Sequence, residues 1–317
     1  MGTMPKAVIL AAVCFAFWAP SAAAQDYPTR QINMVIPFPP GGNTDLMARA
    51  LQPELAKALG QSVVAINKGG AGGSIGNIEV SSSRPDGYTI GLTPNNPLTA
   101  QPHVQKLPYG MDSFKYVCLT YYVPYVVMAS PKAPFKTFQE FADYTKAKSD
   151  NLIYASPGPG TQPHLGILSA LGAIKGEGVH VPFTGAGPMS QAMLAGTVMV
   201  MSESTAVAKA SNLVVLAAQT NERIASLPDV PTMKELGFPS EAFSAGGLVV
   251  PAATPDAIVA RLQKACAEAV ATEGYKQATE KLNATAMFLP GPAFRKMFDE
   301  DSVRNAEAVK AAGLAPK

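Results

Sequence analysis

The stretch "IPFPPGGNTDLMARAL", residues 36–51, runs from the end of an apolar strand through a turn rich in proline and glycine into a helical pattern. Glycine has no Cβ, so backbone N–H groups in such a turn can approach a ligand closely. The first N–H groups of the helix have no partner within the helix, and together they carry roughly half a positive charge. The stretch therefore predicts a strand–loop–helix unit that binds an anion such as a carboxylate or phosphate.

Three more loops of the same character follow strand-like segments. With residues 37–45 as the first loop, they are "KGGAGGSIG" (second loop, 68–76), "ASPGPGTQPH" (third loop, 155–164) and "PFTGAGP" (fourth loop, 182–188). Ligands of open α/β sheets bind beyond the carboxyl ends of the strands. Any one loop could be an ordinary turn, and that alternative stays open, but four together favour a shared site. Lys68 is the one formal cation in them.

Strand and helix patterns alternate along the chain, which predicts an α/β fold with parallel sheets covered by helices. The first helix is expected to begin with Thr44 as its N-cap and to end before Gly60. A later helix is expected to have Thr254 as its cap and Pro255 at its first position. A length of 317 residues suits two domains.

Composition and charge exclude several functions. The net charge is +2 and only 15% of the residues are charged, with the basic residues scattered, which argues against a nucleic-acid partner. The three histidines, His103, His164 and His180, lack the spacing of metal ligands. We expect no metal and no cofactor.

The N-terminus has the pattern of a secretory signal. "MGTMPK" precedes thirteen uncharged, mostly apolar residues and then "PSAAAQ", which predicts cleavage after Ala24 and an exported, periplasmic protein. Cys14 raises the alternative of a lipoprotein, but Val13 is a poor residue before such a cut. After export Cys118 and Cys266 remain, and the sequence leaves open whether they are buried thiols or a disulfide.

Six blocks of sequence resemble a known family. They are "VIPFPPGGNTDLMARAL", "GQSVVAINKGGAGGSIGNIEV", "RPDGYTI", "LIYASPGPGTQPHL", "VHVPFTGAGPMSQAMLAG" and "LPDVPTMKELGFPS", followed by "VPAATP". In this order they are similar to the extracytoplasmic solute receptors of tripartite tricarboxylate transporters, the Bug-type receptors. The resemblance implies a type II-like periplasmic-binding-protein fold with two α/β domains and a ligand cleft between them. It also implies a monomer that delivers a small carboxylate to the subunits of a membrane transporter.

The resemblance also implies a set of ligand-binding positions. In the family the carboxylate is held mainly by backbone N–H groups, helix N-termini and water. Asp45, an acid beside an anion site, is expected to fix the loop or waters, and His164 could equally be a structural residue. The matching positions are Phe38, Pro39, Gly41, Gly42, Asn43, Thr44, Asp45, Gly73, Ser74, Ser156, Gly158, Gly160, Thr161, His164, Thr184, Gly185, Ala186 and Gly187, with Gly72 beside the cleft.

Domain bounds and ligand size follow as expectations. Domain one is expected at 26–124 plus 248–317, and domain two at 125–247, after a signal peptide of residues 1–24.

Where the family often has Trp-Tyr-Gly-Leu this chain has "AGGL" (245–248), and Met199 stands where Asp is common. Both changes could reshape the cleft or be drift in structural strands. With Phe38, Phe183, Tyr121 and Tyr122 as flat walls, the ligand would be an aromatic dicarboxylate such as terephthalate; the alternatives are an aliphatic mono- or dicarboxylate or an uncharged solute.

An enzymatic alternative rests on Ser74. "GGSIG" (72–76) fits the G-x-S-x-G pattern of a nucleophile elbow. That elbow needs a strand directly before the serine, whereas residues of Lys, Gly and Ala intervene here. We therefore predict a receptor without catalytic activity, with a secreted serine hydrolase as the remote alternative.

Overall fold

The computed structural model describes residues 27–147, 152–183 and 185–315. Strands and helices alternate as predicted. The strands are β1 Ile32–Ile36, β2 Val63–Asn67, β3 Thr89–Pro94, β4 Phe114–Ala129, β5 Ile153–Ser156, β6 Val179–Pro182, β7 Val200–Ser204, β8 Val214–Ala218, β9 Phe243–Pro251 and β10 Thr285–Pro290. The helices are α1 Asn43–Leu59, α2 Ser74–Ser82, α3 Asn96–Thr99, α4 Gln101–Val104, α5 Phe138–Ala147, α6 Gln162–Ala173, α7 Ala186–Ala195, α8 Thr205–Ser211, α9 Asp256–Ala271, α10 Glu273–Lys281 and α11 Gly291–Ala311. None of these helices combines the length and the apolar character needed to cross a membrane.

The strands form two groups that share the long strand β4. In the first group β1 pairs in parallel with β2 and β3, and β9 joins β3 to the Phe114–Pro124 part of β4. In the second group β5 pairs in parallel with β6 and β7, and β7 pairs with the Tyr125–Ala129 part of β4. The prediction of parallel sheets holds within each group, but β4 and β9 are antiparallel to their neighbours. Each group therefore presents the carboxyl ends of its parallel strands along one edge.

Each strand group has its own apolar core. In α1 the side chains of Met47, Leu51 and Leu55 recur every four residues, and all three are fully buried against the first group. In the second group α5 and α6 contribute Phe141 and Ile167 to a separate cluster. Burial of each large apolar side chain contributes about 1.5–3 kcal/mol to the free energy of unfolding. Each pair of loops therefore lies at the edge of a strand group with its own packed core.

Two of the predicted helix caps are wrong, and one is confirmed. α1 ends before Gly60, which adopts a left-handed conformation (φ 70°) as expected. Its N-cap is Gly42 rather than Thr44, so Thr44 lies inside the first turn. For α9 the N-cap is Pro255, and the hydroxyl of Thr254 is buried without a hydrogen bond. Neither helix has a side-chain hydrogen bond at its N-cap, so the backbone conformation alone starts each helix.

Cys118 and Cys266 form a disulfide, which resolves the alternative that the sequence left open. It joins β4 to α9 across 148 residues of sequence, and both residues are fully buried in the core of the first strand group. The bond therefore ties the C-terminal part of the chain to the strand that both groups share.

Candidate ligand-binding site

The first and second loops pack directly against each other at the edge of the first strand group. The side-chain amide of Asn67 donates to the carbonyl oxygen of Phe38 at 3.0 Å. A Cβ on Gly69 would lie 2.9 Å from Pro39 Cδ, and one on Gly73 would lie 3.1 Å from the ring of Phe38. Glycine is needed at these two positions because any side chain would separate the loops.

Asp45 holds the first loop in place. Its carboxylate is almost fully buried and accepts from Gly41 N at 2.9 Å, from Arg49 Nε at 3.0 Å and from Asn67 Nδ2 at 2.8 Å. Burial by itself would raise the pKa of Asp45, but the hydrogen bonds from Arg49, Gly41 and Asn67 outweigh it and hold the pKa below its ordinary value. The carboxylate thus supports the loop, as one sequence interpretation expected.

Replacement of Asp45 tests this support. Asp45→Ala leaves buried donors unpaired, so we expect a loss of about 1–3 kcal/mol in the free energy of unfolding at pH 7. Because the folded-state pKa is lowered, the stabilisation is complete above the unfolded-state pKa and is lost as the pH falls through the folded value. Urea denaturation at pH 7 and in acid should therefore show a difference that shrinks in acid. The exposed Glu268→Ala serves as the control, and equal stability of Asp45→Ala and wild type at pH 7 would contradict the role.

The third and fourth loops lie side by side at the edge of the second strand group. β5 and β6 end in register, and Phe183 N donates to Ser156 O at 2.9 Å. The hydroxyl of Ser156 accepts from Gly158 N at 3.1 Å and lies 2.7 Å from His180 Nε2, while Thr161 Oγ1 donates to Gly158 O at 2.7 Å. Ser156 and Thr161 thereby fold the third loop onto itself. Thr184 lies outside the described residues.

Helices begin at all four loops without side-chain caps. The N-caps are Gly42 for α1, Gly73 for α2, Thr161 for α6 and Gly185 for α7, and none of them makes a side-chain cap hydrogen bond. The glycines beside these starts border free space, since a Cβ on Gly41, Gly158, Gly185 or Gly187 would meet no heavy atom within 4 Å. The N-terminal ends of α1, α6 and α7 are therefore positive and open on their glycine side, which suits an anion. The start of α2 is covered, since a Cβ on Gly73 would lie 2.7 Å from Pro97 Cγ.

Residues after β3 connect the two pairs of loops. Asn96 Nδ2 donates to Gly160 O at 3.0 Å, and a Cβ on Gly160 would lie 2.7 Å from Val104 Cγ2. On the other side a Cβ on Gly72 would lie 2.9 Å from Gln101 Cδ. α3 and α4 thus touch both the second and the third loop. Prediction from sequence missed Asn96 and Gln101, although "TPNNPL" directly after a strand could have indicated them.

His164 supports the third loop with a neutral imidazole. Its Nδ1 accepts from Gly160 N at 3.1 Å, and its ring stacks on that of His180 with centroids 4.1 Å apart. Burial and the neighbouring His180 lower the pKa of His164 to about 4. At neutral pH this side chain therefore offers no positive charge to an anion.

Ser74 lacks the surroundings of a catalytic nucleophile. Its side chain is almost fully buried, and its Oγ accepts from the hydroxyl of Tyr109 at 3.2 Å. The three histidines lie against other partners, His103 against Ser302, His164 against Gly160 and His180 against Ser156. A general base for Ser74 would have to be a histidine or carboxylate within hydrogen-bond reach, and among the described residues none makes that contact.

One of the four aromatic side chains proposed as cleft walls, Tyr121, is a core residue, whereas Tyr122 is only partly buried. Tyr121 is fully buried in the cluster beneath α1 and α9, and Tyr122 packs on Phe243 with ring centroids 5.2 Å apart. Ala245 is fully buried in a neighbouring cluster, and Met199 packs against the core of the second group. Phe38, beside Gly73, and Phe183, beside the core under α7, are only partly buried.

A cavity of about 980 Å³ lies apart from the open glycines. It is lined by α6, by β6 and by the C-terminal part of α11, with Glu177, Lys234 and Glu241 contributing charges of both signs. None of the open glycines of the four loops lines it. The loops remain the predicted anion site because α1, α6 and α7 begin there without side-chain caps and next to glycines that border free space.

Comparison with known proteins identifies the family. Residues 47–314 match the family described as "Tripartite tricarboxylate transporter family receptor". The periplasmic binding protein BugD superposes with a TM-score of 0.76 at 31% identity, over 92% of this chain and 100% of BugD. MatC of Rhodopseudomonas palustris, solved with bound malate, gives 0.75 at 31% identity over 89% of this chain and 100% of MatC. Rpa4515 of R. palustris, solved with adipate, gives 0.79 at 25% identity over 92% and 100%.

These comparisons confirm the two-domain solute-binding fold and a receptor rather than an enzyme. They agree with a periplasmic location, whereas the cleavage site after Ala24 lies outside the described residues and stays a prediction. The expected contacts between individual residues and a ligand also stay predictions. On the match over most of its length, the chain belongs to the family of tripartite tricarboxylate transporter receptors.

Proposed function

We propose that this receptor captures a small organic carboxylate among the four loops and delivers it to the membrane subunits of a tripartite tricarboxylate-type transporter. The observation that carries the proposal is the set of uncapped helix N-termini at Gly42, Thr161 and Gly185, each beside a glycine that borders free space. Malate in MatC and adipate in Rpa4515 support a carboxylate as the ligand class. An uncharged solute would gain little from such positive ends.

Capture is proposed to use closure of two domains about crossing strands. β4 changes partners after Pro124, which supports domain one at 26–124 with the C-terminal part of the chain, and domain two from residue 125. Phe243 of β9 pairs with Pro124, so we place the second crossing at 242–243, a few residues before the bound predicted from sequence. A ligand that contacts both domains favours the closed population, and the closed receptor is the form that a transporter would recognise.

The size of the ligand is the finer part of the proposal. A flat aromatic dicarboxylate such as terephthalate needs aromatic walls. Of the four candidates Tyr121 is fully buried in a core, whereas Phe38, Tyr122 and Phe183 are partly buried. Aromatic pairing adds about 0.5–1.5 kcal/mol beyond burial, too little to select terephthalate if one wall is missing. We therefore favour an aliphatic carboxylate over the aromatic one.

Calorimetric titration tests both parts of this proposal, that the ligand is a carboxylate and that it is aliphatic rather than aromatic. We expect an aliphatic dicarboxylate among malate, succinate and adipate to bind more tightly than terephthalate, and to raise the melting temperature in a concentration-dependent way. Ribose serves as the uncharged control. Tight binding of terephthalate alone would overturn the aliphatic preference, and binding of ribose but of no carboxylate would overturn the anion receptor itself.

A further inference from the structure

Glu203 lies at the ligand edge of the second strand group. In the parallel pairing of β7 with β5, Met201 lies opposite Ala155. Ser202 is therefore level with Ser156, the last residue of β5. Glu203 lies one residue farther along, beside the start of the third loop. β6 ends in register with β5, which puts Phe183 at the same level. Only 8% of Glu203 is exposed, and its Oε1 accepts from Ser204 N at 2.7 Å.

The side chain of Glu203 lies on the face of the sheet that α7 covers. In a strand, residues two apart point to the same face, so Glu203 shares a face with Met201. Met201 belongs to the cluster that contains Met189 of α7, with Ala186 and Phe183 packed against it. The carboxylate therefore lies at the ligand end of the core beneath α7, the helix that begins beside Gly185.

No cation among the described residues pairs with the carboxyl group of Glu203. The other charged groups near the loops form ion pairs, Asp45 with Arg49 at 3.0 Å and Lys68 with Glu79 at 3.2 Å. No described Lys, Arg or His nitrogen forms a salt bridge with Glu203; α7 carries no charged residue, and the one charge on α8 is the exposed Lys209. Burial raises the pKa of Glu203, the direction expected for a carboxylate that has lost water without gaining a cation.

We propose that Glu203 determines ligand charge, selecting carboxylates that also carry an ammonium group over carboxylates that do not. The inference rests on the proposed carboxylate site. Uncapped helix N-termini attract the carboxylate of the ligand. The carboxyl group of Glu203, when ionised, repels a second carboxylate unless a cation stands between them. A ligand ammonium supplies that cation and forms a charge-assisted hydrogen bond with Glu203.

Matched pairs of ligands isolate this effect. Aspartate differs from succinate by one ammonium group, and 4-aminobutyrate differs from butyrate in the same way. In calorimetric titration of wild type, the ammonium-bearing member of the better-bound pair should bind at least about tenfold more tightly, as close charge pairs at interfaces do. Glu203→Gln should reduce this ratio to near one, partly by strengthening the ammonium-free member. Glu268→Gln, the same change of charge on the exposed face of α9, should leave the ratio unchanged.

The ratio within a pair separates charge selection from structural damage. A structural defect in Glu203→Gln would weaken both members together, and Glu203→Asp, which keeps the charge, should keep the preference for the ammonium. A wild-type preference for the ammonium-free member, or a ratio that Glu203→Gln does not change, overturns the inference and leaves the carboxylate receptor standing. Absence of binding by every carboxylate, including malate and adipate, overturns the proposed function and this inference with it.

Discussion

Gly185→Val is expected to abolish carboxylate binding, with a loss of affinity of at least about 100-fold, while the ligand-free protein remains folded. Gly185 is the N-cap of α7, and a Cβ placed on it meets no heavy atom within 4 Å. A valine side chain would therefore enter the free space in front of the helix, where the anion is proposed to lie, without disturbing a packed core, although the φ of 154° at Gly185 adds backbone strain. Calorimetric titration and the melting temperature measure the two effects separately.

A second substitution and a control make this test decisive. Gly158→Val should have the same effect, because Gly158 in the third loop also borders free space, although its φ of 130° adds strain to the variant. Gly110 is equally open but has an ordinary φ of −136° and lies outside the four loops, so Gly110→Val should bind normally. Unchanged affinity in both Gly158→Val and Gly185→Val would mean that the anion binds elsewhere.

Removal of the Cys118–Cys266 disulfide should cause the largest loss of stability. The bond closes a loop that spans 148 residues of sequence, and cross-links over loops of that size restrict the unfolded chain by about 3–5 kcal/mol. The double variant Cys118→Ala with Cys266→Ala should therefore unfold at a lower urea concentration than oxidised wild type. The slope of its transition should rise, because its unfolded chain exposes more surface.

Reduced wild type provides the matching control for this experiment. Reduction removes the cross-link and keeps both sulfur atoms in the core, so it separates the effect of the loop from the effect of lost packing. Reduced wild type should lie close to the double variant. If oxidised wild type, reduced wild type and the variant share one midpoint, the disulfide does not stabilise the fold.

Local features could be predicted from the sequence. The four loops follow strands and precede helices as expected, because hydrophobic periodicity, glycine and proline act within a few residues of their own position. Gly60 ends α1 in the left-handed conformation that the pattern indicated. Thr44 was wrongly predicted as a cap, since Gly42 can end the loop with backbone geometry alone, and the N-cap then lies two residues earlier than expected.

Features that depend on distant residues could not be predicted. The contact of Asn96 with Gly160 joins residues 64 apart, and the disulfide joins residues farther apart still. Glu203 is the penultimate residue of β7, whose neighbours are set by sheet order, so its place beside the third loop was not visible in "TVMVMSES". The same limit misassigned Tyr121, because alternation along β4 shows that Tyr121 and Tyr122 face opposite sides but not what covers each side.

The route of the chain through the first strand group has a consequence for how fast the protein folds. Gly91 of β3 pairs with Val249 of β9, so this sheet joins residues 158 positions apart and is incomplete until the last quarter of the chain is available. Pairings so distant in sequence cost loop-closure entropy before they contribute contacts, and such topologies fold slowly. A growing chain therefore keeps the edge of β3 unpaired while the whole second strand group is synthesised. If the predicted export signal is used, this delay keeps the chain open to translocation until β9 emerges.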